Sequence, residues 1–474
     1  MKQKHKNIHL SHLSAVAASG TLALLVTSGI TTGAHRGGWH GPATGHTGFL
    51  AAAVLKGEQT TDTPLMRQAK RLRKRLRKTS FLTPPLTELA SALQERKILL
   101  GRYTKADLRS PDGNTFPAWE ISLHRYPTWI KGTFTSARAE FSVNEKRIAD
   151  YLTQNGIEGL KGPIVSRISL IETDDRGVLR VQADQPAKPG YVFDAPKIAT
   201  SLKEVLDEGA SVVTLTLDLS AGSIINETGQ DLGKLTLIAE GRSNFAGSVP
   251  GRIANVRKGL RERTHNILVP PGETFSFNKT LGPVTSSAGW YEALGIFNGD
   301  ELRPVTGGGI CQVATTTYRA ILLAGLPVVN RKAHSLYVSY YEKYGVGMDA
   351  TVYPGQQDLT FTNDTGNFLL VQSYDDGFEA RVNIYGTSDG RIVRMEGPYF
   401  ATNAPEDLSV HDRSLAKNEI VWRQHITYGG VTVTNTIVSR YKTIPLSIAR
   451  KYSEEHIAEG NAAVTHTAAP AQGT

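Results

Sequence analysis

The sequence has little cysteine: Cys311 is the one cysteine among 474 residues. A single thiol cannot close an internal disulfide, so a fold held together by cross-links is excluded. The chain also lacks the HExxH pattern of zinc peptidases and the GxxxxGK[ST] pattern of phosphate-binding loops. The sequence therefore predicts no cofactor and none of the enzyme classes that these motifs mark.

Acidic residues are absent from one stretch, RQAKRLRKRLRK at residues 67–78, which carries eight basic side chains. This basic run accounts for nearly all of the net charge of +9, so the rest of the chain is close to neutral. Met66, Ala69, Leu72 and Leu76 fall on one face of the helix that its pattern predicts. The helix either contacts anionic lipid or cell-wall polymers, or it is a solvated basic spacer.

Long apolar runs are also scarce. One stretch, roughly residues 13–34, has no charged side chain, and Lys2, Lys4 and Lys6 precede it. This pattern predicts an export segment over residues 1–36, either a cleaved signal peptide or a single membrane anchor with extracytoplasmic domains. We expect the chain to reach the cell membrane through this segment, or to be secreted if it is cleaved. Export also argues against nucleic acid as the partner of the basic run.

Patterns along the chain predict an α+β fold in several domains. A linker with the basic helix is expected over residues 37–82, and an α+β domain over 83–240. The composition changes at the next residue, and 241–375 is predicted to be a mixed α+β domain with a cysteine-bearing helix packed on an antiparallel sheet. A β-rich extension over 376–460 and a disordered tail over 461–474 complete the prediction.

Two helices of the second region have recognisable ends. SVNEKRIADYLTQNG begins with Ser142 and Glu145 at capping-box spacing, so we expect a helix over 142–156. A further helix is predicted from Asp194 to a glycine cap at Gly209.

The stretch TGGGICQVATTT, residues 306–317, places Cys311 in the first turn of a predicted helix. Unpaired N–H groups at a helix N-terminus stabilise an anion, which lowers the pKa of a thiol and favours nucleophilic chemistry. Gly308 and Gly309 are predicted to leave room for a substrate backbone in front of the sulfur. The peptide N–H groups, or the side chain of Gln312, are predicted to face the oxyanion of an acyl-transfer intermediate.

A thiolate also needs a proton acceptor. RKAHSLYVSYY predicts a strand that carries His334, and Asp349 begins the next predicted strand. Papain-like and transglutaminase-like enzymes use this order of cysteine, histidine and acid. We therefore predict Cys311 as nucleophile, His334 as base and then acid, and Asp349 as the group that orients the imidazole. The alternative is a packed thiol beside structural hydrogen bonds; a metal site made by the same residues matches no ligand template.

The sequence strongly resembles the VanW family in three blocks: GRSNFAGSVPGRIANVRKGLRERTHNILVPPGETFSFN, TGGGICQVATTTYRAILLAGL and RKAHSLYVSYYEKYGVGMDATVYPGQQDLTFTN. This family is named after an accessory protein of vancomycin-resistance clusters in Gram-positive bacteria. The preceding region is similar, more loosely, to the YoaR-type peptidoglycan-binding domain that often precedes VanW. Family motif positions also match Asp358 and Asn363, which we expect to be turn and capping residues.

The resemblance implies a cell-envelope protein whose partner is peptidoglycan or its stem peptides, and it supplies no reaction. Two functions follow as hypotheses. In the first, the VanW-like region performs thiol acyl transfer or amide hydrolysis on cell-wall peptides through Cys311. In the second, the protein is a non-enzymatic accessory that binds cell-wall peptide, and Cys311 is structural.

Overall fold

The computed structural model describes residues 62–79, 83–110, 116–297, 301–448 and 450–452. The export segment predicted over residues 1–36 and the tail predicted over 461–474 lie outside these ranges. Among the described residues, no helix combines the length and the apolar character needed to cross a bilayer. The described part is a mixed α+β fold, in agreement with the predicted class.

The α-helices of the described ranges are α1 (Pro64–Leu76), α2 (Leu86–Leu100), α3 (Glu145–Asn155), α4 (Ala195–Glu208), α5 (Pro250–Lys258), α6 (Phe277–Leu281) and α7 (Ile310–Ala324). The helix predicted for the basic run is α1. Its apolar face packs on α2, where Ala69 is buried beside Leu89 and Ala90. Protein therefore covers the apolar stripe, and most of the basic side chains of α1 are exposed.

The strands fall into three groups along the chain. The first group is β1 (Tyr103–Arg109), β2 (Trp119–Ser122), β3 (Ile130–Phe134), β4 (Ala139–Val143), β5 (Ser166–Thr173), β6 (Leu179–Ala183), β7 (Gly190–Val192), β8 (Val212–Thr216), β9 (Asp218–Ser220), β10 (Ile224–Asn226) and β11 (Thr236–Asn244). The second is β12 (Ile267–Val269), β13 (Thr274–Ser276), β14 (Glu292–Phe297), β15 (Glu301–Thr306), β16 (Val328–Asn330), β17 (Thr360–Thr362), β18 (Leu369–Asp376) and β19 (Glu379–Gly386). The third is β20 (Ile392–Tyr399), β21 (Glu419–Tyr428) and β22 (Val431–Arg440).

A seven-stranded sheet in the order β10-β5-β6-β12-β18-β19-β11 joins strands from both sides of the boundary predicted at residues 240 and 241. That boundary falls inside β11. The domain division itself remains a prediction. Separate antiparallel sheets are formed by β20-β21-β22 and by the hairpin β14-β15, and a further sheet has the order β13-β17-β16.

Local sequence predicted both ends of α4 correctly, but it did not predict the start of α3. Asp194 caps α4 by accepting a hydrogen bond from the N–H of Lys197, and Gly209 ends the helix in a left-handed conformation, as predicted. The predicted start of α3 is wrong, because Ser142 lies in β4 and Asn144 is the cap. The Asn144 side chain accepts from the N–H of Arg147 at 3.0 Å. The strand β4 competes for Ser142 through its pairing with β3, which a local capping pattern does not reveal.

Helix α7 is the centre of the largest hydrophobic core. It packs on β11 and β19, an antiparallel pair. Gly241 of β11 permits this contact, since a Cβ there would lie 2.0 Å from the carbonyl oxygen of Thr316. The C-terminal sheet closes the other side: Gln424 donates to the carbonyl of Leu322 at 2.6 Å. The cysteine-bearing helix thus lies between the antiparallel β11-β19 pair of the seven-stranded sheet and the antiparallel C-terminal sheet.

Candidate functional site

The three glycines before Cys311 form a tight turn that leads into α7. Gly307 and Gly309 have φ of 80° and 108°, a region that side chains disfavour. A Cβ on Gly308 would lie 2.2 Å from the carbonyl oxygen of Ala293 in β14. Close packing against a neighbouring strand therefore requires a glycine at position 308, and its predicted role in substrate binding stays a prediction.

Asn255 of α5 holds this turn in place through hydrogen bonds. Its side-chain amide donates to the carbonyls of Gly308 and Tyr291, each at 2.9 Å, and its oxygen accepts from the N–H of Tyr291. Asn255 is fully buried. This residue joins α5, the hairpin β14-β15 and the glycine turn, and the sequence patterns did not single it out.

Cys311 lies in the first turn of α7, as predicted, and its side chain is half-buried. The thiol donates a hydrogen bond to the carbonyl of Val352 at 3.4 Å. It also lies within hydrogen-bonding reach of His334. The Nδ1 atom of His334 is 2.5 Å from Oδ2 of Asp349, so Nε2 is the nitrogen that remains available to the sulfur. The structure thus brings the three predicted residues together in one chain of contacts.

These contacts perturb the ionisation of all three groups. Burial raises the pKa of Cys311, but the hydrogen bond and charge of His334 hold it below its ordinary value. Burial lowers the pKa of His334, and its bonds to Asp349 and Cys311 outweigh this and raise the pKa to about 9. Burial likewise raises the pKa of Asp349, while His334 and Arg331 bring it below its ordinary range. The shifts of Cys311 and His334 both favour transfer of the proton from the thiol to the imidazole.

Asp349 is held by more than His334. Its Oδ2 also accepts from the peptide N–H of His334 at 3.0 Å. Its Oδ1 accepts from the guanidinium of Arg331 at 3.2 Å and from the hydroxyl of Tyr441 at 2.9 Å. A carboxylate with this many donors is fixed in orientation and stays ionised. Tyr441 follows β22 in the chain, so the C-terminal sheet contributes directly to the site.

The segments that carry His334 and Asp349 are loops and not the predicted strands. Arg319, which is 1% exposed, organises the loop between them. Its guanidinium donates to five backbone carbonyls, those of Arg242, Tyr341, Lys343, Gly345 and Met348. Burial without a carboxylate partner lowers its pKa to about 10. An arginine in the middle of a threonine-rich helix was the available sequence cue for this role.

Gln312 is not placed as the predicted oxyanion donor. Its side-chain nitrogen donates to Ser243 at 3.1 Å and to the carbonyl of Asn244 at 2.8 Å, on the β11 side of the helix. Its peptide N–H donates to the carbonyl of Gly309 at 3.0 Å. Among the described residues the peptide N–H of Cys311 has no acceptor, so it is the donor that remains for an oxyanion.

Gly309, the other glycine predicted to face substrate, is partly exposed beside Cys311. Asp358 accepts from the N–H of Asn278 at 2.9 Å, and Asn363 accepts from the N–H of Thr365 at 3.0 Å, so both stabilise turns as expected. Within the described ranges, no cluster of three or more histidine, cysteine, aspartate or glutamate side chains is arranged to hold a metal ion.

The stretch of sequence that contains Cys311, His334 and Asp349 belongs to a known class of domain. Residues 251–385 match the sequence profile of the family described as VanW like protein, so this part of the chain is a VanW-like domain. The matched range includes Cys311, His334 and Asp349, and it excludes Tyr441. The recognition of the VanW family from its sequence blocks is confirmed.

Two relatives extend this result. The chain is 36% identical over 161 residues to the uncharacterised protein YoaR of Bacillus subtilis (strain 168), which is 31% of this chain and 51% of YoaR. It is 31% identical over 109 residues to the vancomycin B-type resistance protein VanW of Enterococcus faecalis (strain ATCC 700802 / V583), which is 22% of this chain and 39% of VanW. The chain thus spans about half the length of YoaR, and less of VanW, in these matches. No solved structure gives a significant match.

Proposed function

We propose that the protein is a cell-envelope accessory protein whose VanW-like domain performs cysteine-dependent acyl transfer on cell-wall peptides. The observation that carries this proposal is the contact chain from Cys311 through His334 to Asp349, with Nδ1 of His334 at 2.5 Å from the carboxylate. A nucleophile, a base within its reach and a group that orients the base are the parts that thiol acyl transfer requires.

The reaction follows from these positions. The Cys311 thiolate attacks the carbonyl carbon of an amide, and the peptide N–H of Cys311 donates to the resulting oxyanion. The imidazolium of His334 gives its proton to the leaving amine, so the carbon–nitrogen bond breaks and a thioester remains. Water or a second amine then attacks the thioester and His334 takes the proton from that nucleophile, so the carbon–sulfur bond breaks and the Cys311 thiolate is restored beside the imidazolium. Hydrolysis and transpeptidation differ only in which nucleophile is used.

The assignment to the cell wall rests on the relatives. The name of the enterococcal relative connects a VanW-like domain with vancomycin resistance. The export segment predicted from residues 1–36 and the basic helix α1 are consistent with a place at the membrane surface, and we propose peptidoglycan or its stem peptides as the partner of the folded region.

The pH dependence of thiol alkylation tests the proposed chemistry. Because Cys311 is the one cysteine, mass spectrometry of the full chain treated with iodoacetamide reports this thiol alone. We expect alkylation to stay fast below pH 8, where an ordinary thiol of pKa about 8.5 is largely protonated. His334→Ala is expected to move the onset of alkylation to higher pH. His425→Ala is the matched control, since His425 lies in the C-terminal sheet and pairs with Glu396.

One contact favours the non-enzymatic alternative. The bond from Cys311 to the carbonyl of Val352 requires a protonated thiol, and it would suit a cysteine that only joins α7 to the following loop. In that case the folded protein would bind cell-wall peptide without turnover. A thiol that is inert in the folded chain at every pH, and becomes reactive only in denaturant, would establish this alternative and refute the enzyme proposal.

A further inference from the structure

Arg252 of α5 is a buried cation without an anionic partner. Its side chain is 8% exposed. One guanidinium nitrogen donates to the hydroxyl of Ser248 at 2.7 Å, and the guanidinium lies 4.5 Å from the ring centre of Tyr340. Within the described residues no carboxylate pairs with it, although its helix neighbour Arg257 pairs with Asp375 at 3.2 Å. Burying an unpaired charge is costly, so such a group usually has an anion to meet.

The stem of Arg252 lies beside the glycine turn that precedes the thiol. A Cβ on Gly309, two residues before Cys311, would lie 2.8 Å from Cγ of Arg252. Arg252 also acts electrostatically on the phenol of Tyr341, lowering its pKa, whereas Cys311 raises the pKa of the same group. The ring of Tyr341 lies 5.3 Å from that of His334. Arg252 therefore packs against the turn before Cys311 and lies near Tyr341, whose ring is next to that of His334.

The remaining donors of Arg252 point to a ligand. Its other guanidinium nitrogens have no protein acceptor among the described residues, yet they are not among the buried polar atoms that lack a partner. They therefore retain some contact with solvent. A planar guanidinium offers two parallel N–H groups that match a carboxylate.

We propose that Arg252 binds a carboxylate of the substrate, so that the acyl donor is a peptide with a free carboxylate next to the bond that Cys311 attacks. This inference rests on the proposed function, since it assigns the substrate class of the same site. The carboxylate is either the C-terminus of the peptide or an acidic side chain at that position.

Two alkylating reagents of nearly equal size test the proposal on the full chain. Iodoacetate carries a carboxylate and iodoacetamide does not. We expect Arg252→Gln to lower the ratio of the iodoacetate rate to the iodoacetamide rate at Cys311 by about tenfold, the size of a charge-assisted hydrogen bond. The imidazolium of His334 attracts iodoacetate in both proteins, so its effect cancels in this comparison. Arg257→Gln is the control for loss of a positive charge on the same helix, and it should leave the ratio nearly unchanged.

The outcomes separate this inference from the proposed function. A thiol that resists both reagents contradicts the proposed function. A reactive thiol whose rate ratio is the same in wild type and Arg252→Gln overturns the role of Arg252 alone. If Arg252→Gln does not fold, Arg252→Lys replaces it, because a lysine keeps the charge but loses the paired donors; a smaller fall in the ratio is then expected, and no fall overturns the proposal.

Protection experiments distinguish the two sources of the carboxylate. N-acetyl-Ala-Ala with a free C-terminus, its amide, and N-acetyl-Glu-Ala-amide are each added at millimolar concentration before iodoacetamide. Protection by the free acid alone assigns the C-terminal carboxylate, and protection by the glutamyl peptide alone assigns a side chain. Equal protection by the uncharged amide contradicts recognition of a carboxylate.

Discussion

The hydroxyl of Tyr441 is the part of the Asp349 environment that lies outside the VanW-like match, and it can be removed alone. Tyr441→Phe keeps the ring, which is 3% exposed and packs edge-on against Tyr337 with 5.6 Å between ring centres. The substitution deletes one donor, the hydroxyl that lies 2.9 Å from Oδ1 of Asp349. The change therefore isolates one hydrogen bond to a buried carboxylate.

The expected loss of stability depends on the hydrogen-bond donors that remain around Asp349. A hydrogen bond to a charged group contributes about 1.5–3 kcal/mol, and the loss is full when the acceptor is left buried without a substitute. Arg331 still donates to the same oxygen, at 3.2 Å, so we expect a loss near the lower end, about 2 kcal/mol. With a urea dependence of about 2 kcal/mol per molar, the unfolding midpoint falls by about 1 M, and by less if the dependence is steeper.

Equilibrium urea denaturation followed by tryptophan fluorescence measures this difference. Tyr428→Phe is the matched control, since Tyr428 ends β21 in the same sheet and is 59% exposed. The control should lie within about 0.5 kcal/mol of wild type. If Tyr441→Phe and Tyr428→Phe unfold at the same urea concentration, the C-terminal sheet does not stabilise the Asp349 carboxylate and the reasoning is refuted.

Two further substitutions test the support of the site. Gly308→Ala is expected to destabilise the fold by about 3 kcal/mol, because its Cβ would overlap the carbonyl of Ala293. Gly366→Ala is the control and should be close to neutral, since the space around Gly366 is open. Equal urea midpoints for the two variants would contradict the packing role of Gly308. Arg319→Met leaves five carbonyls without their donor, so we expect a loss above about 3 kcal/mol and a melting temperature well below that of the exposed control Arg138→Met. Matching melting curves by circular dichroism would show that Arg319 is dispensable.

The local sequence pattern was sufficient to predict the helix that carries the thiol. The small and branched side chains of residues 310–324 have the spacing of a buried helix, and Gly325 ends it as expected. The position of Cys311 in the first turn followed from the glycines that precede it. The order of cysteine, histidine and acid then predicted which side chains meet, because enzymes of unrelated fold assemble the same groups in this order.

The backbone around His334 and Asp349 could not be predicted in the same way. Alternating apolar residues after His334 favour a strand, but the chain there is a loop held by side chains that are distant in sequence. Arg319 binds the loop from α7, and Arg331 donates to the carbonyl of Val438 in β22 at 3.0 Å. Hydrogen bonds from a distant side chain to the backbone leave no repeating pattern in the sequence. The spacing of apolar residues therefore cannot predict them.

The glycines before Cys311 show a second limit of prediction from sequence. Their spacing next to the thiol was equally compatible with access for a substrate and with close packing of the chain. The carbonyl of Ala293, which explains why residue 308 is a glycine, comes from a hairpin whose approach is set by Asn255. Asn255 is a polar residue in a helix that also carries basic side chains, and its sequence context did not indicate that it binds the hairpin. Packing requirements of this kind depend on tertiary neighbours and are visible only once the fold is known.

The ionisation of the site explains why alkylation, and not the pH dependence of stability, is the informative measurement. The raised pKa of His334 contributes stability that is complete below about pH 6.5, its unfolded pKa, and is lost as the pH rises through about 9. The lowered pKa of Cys311 contributes stability with the opposite slope, gained as the pH rises from its folded value to about 8.5, its unfolded pKa. Where these pH ranges overlap, below about pH 8.5, the two contributions run in opposite directions and partly cancel. Stability therefore reports neither group by itself, whereas alkylation reports the ionisation of Cys311 alone.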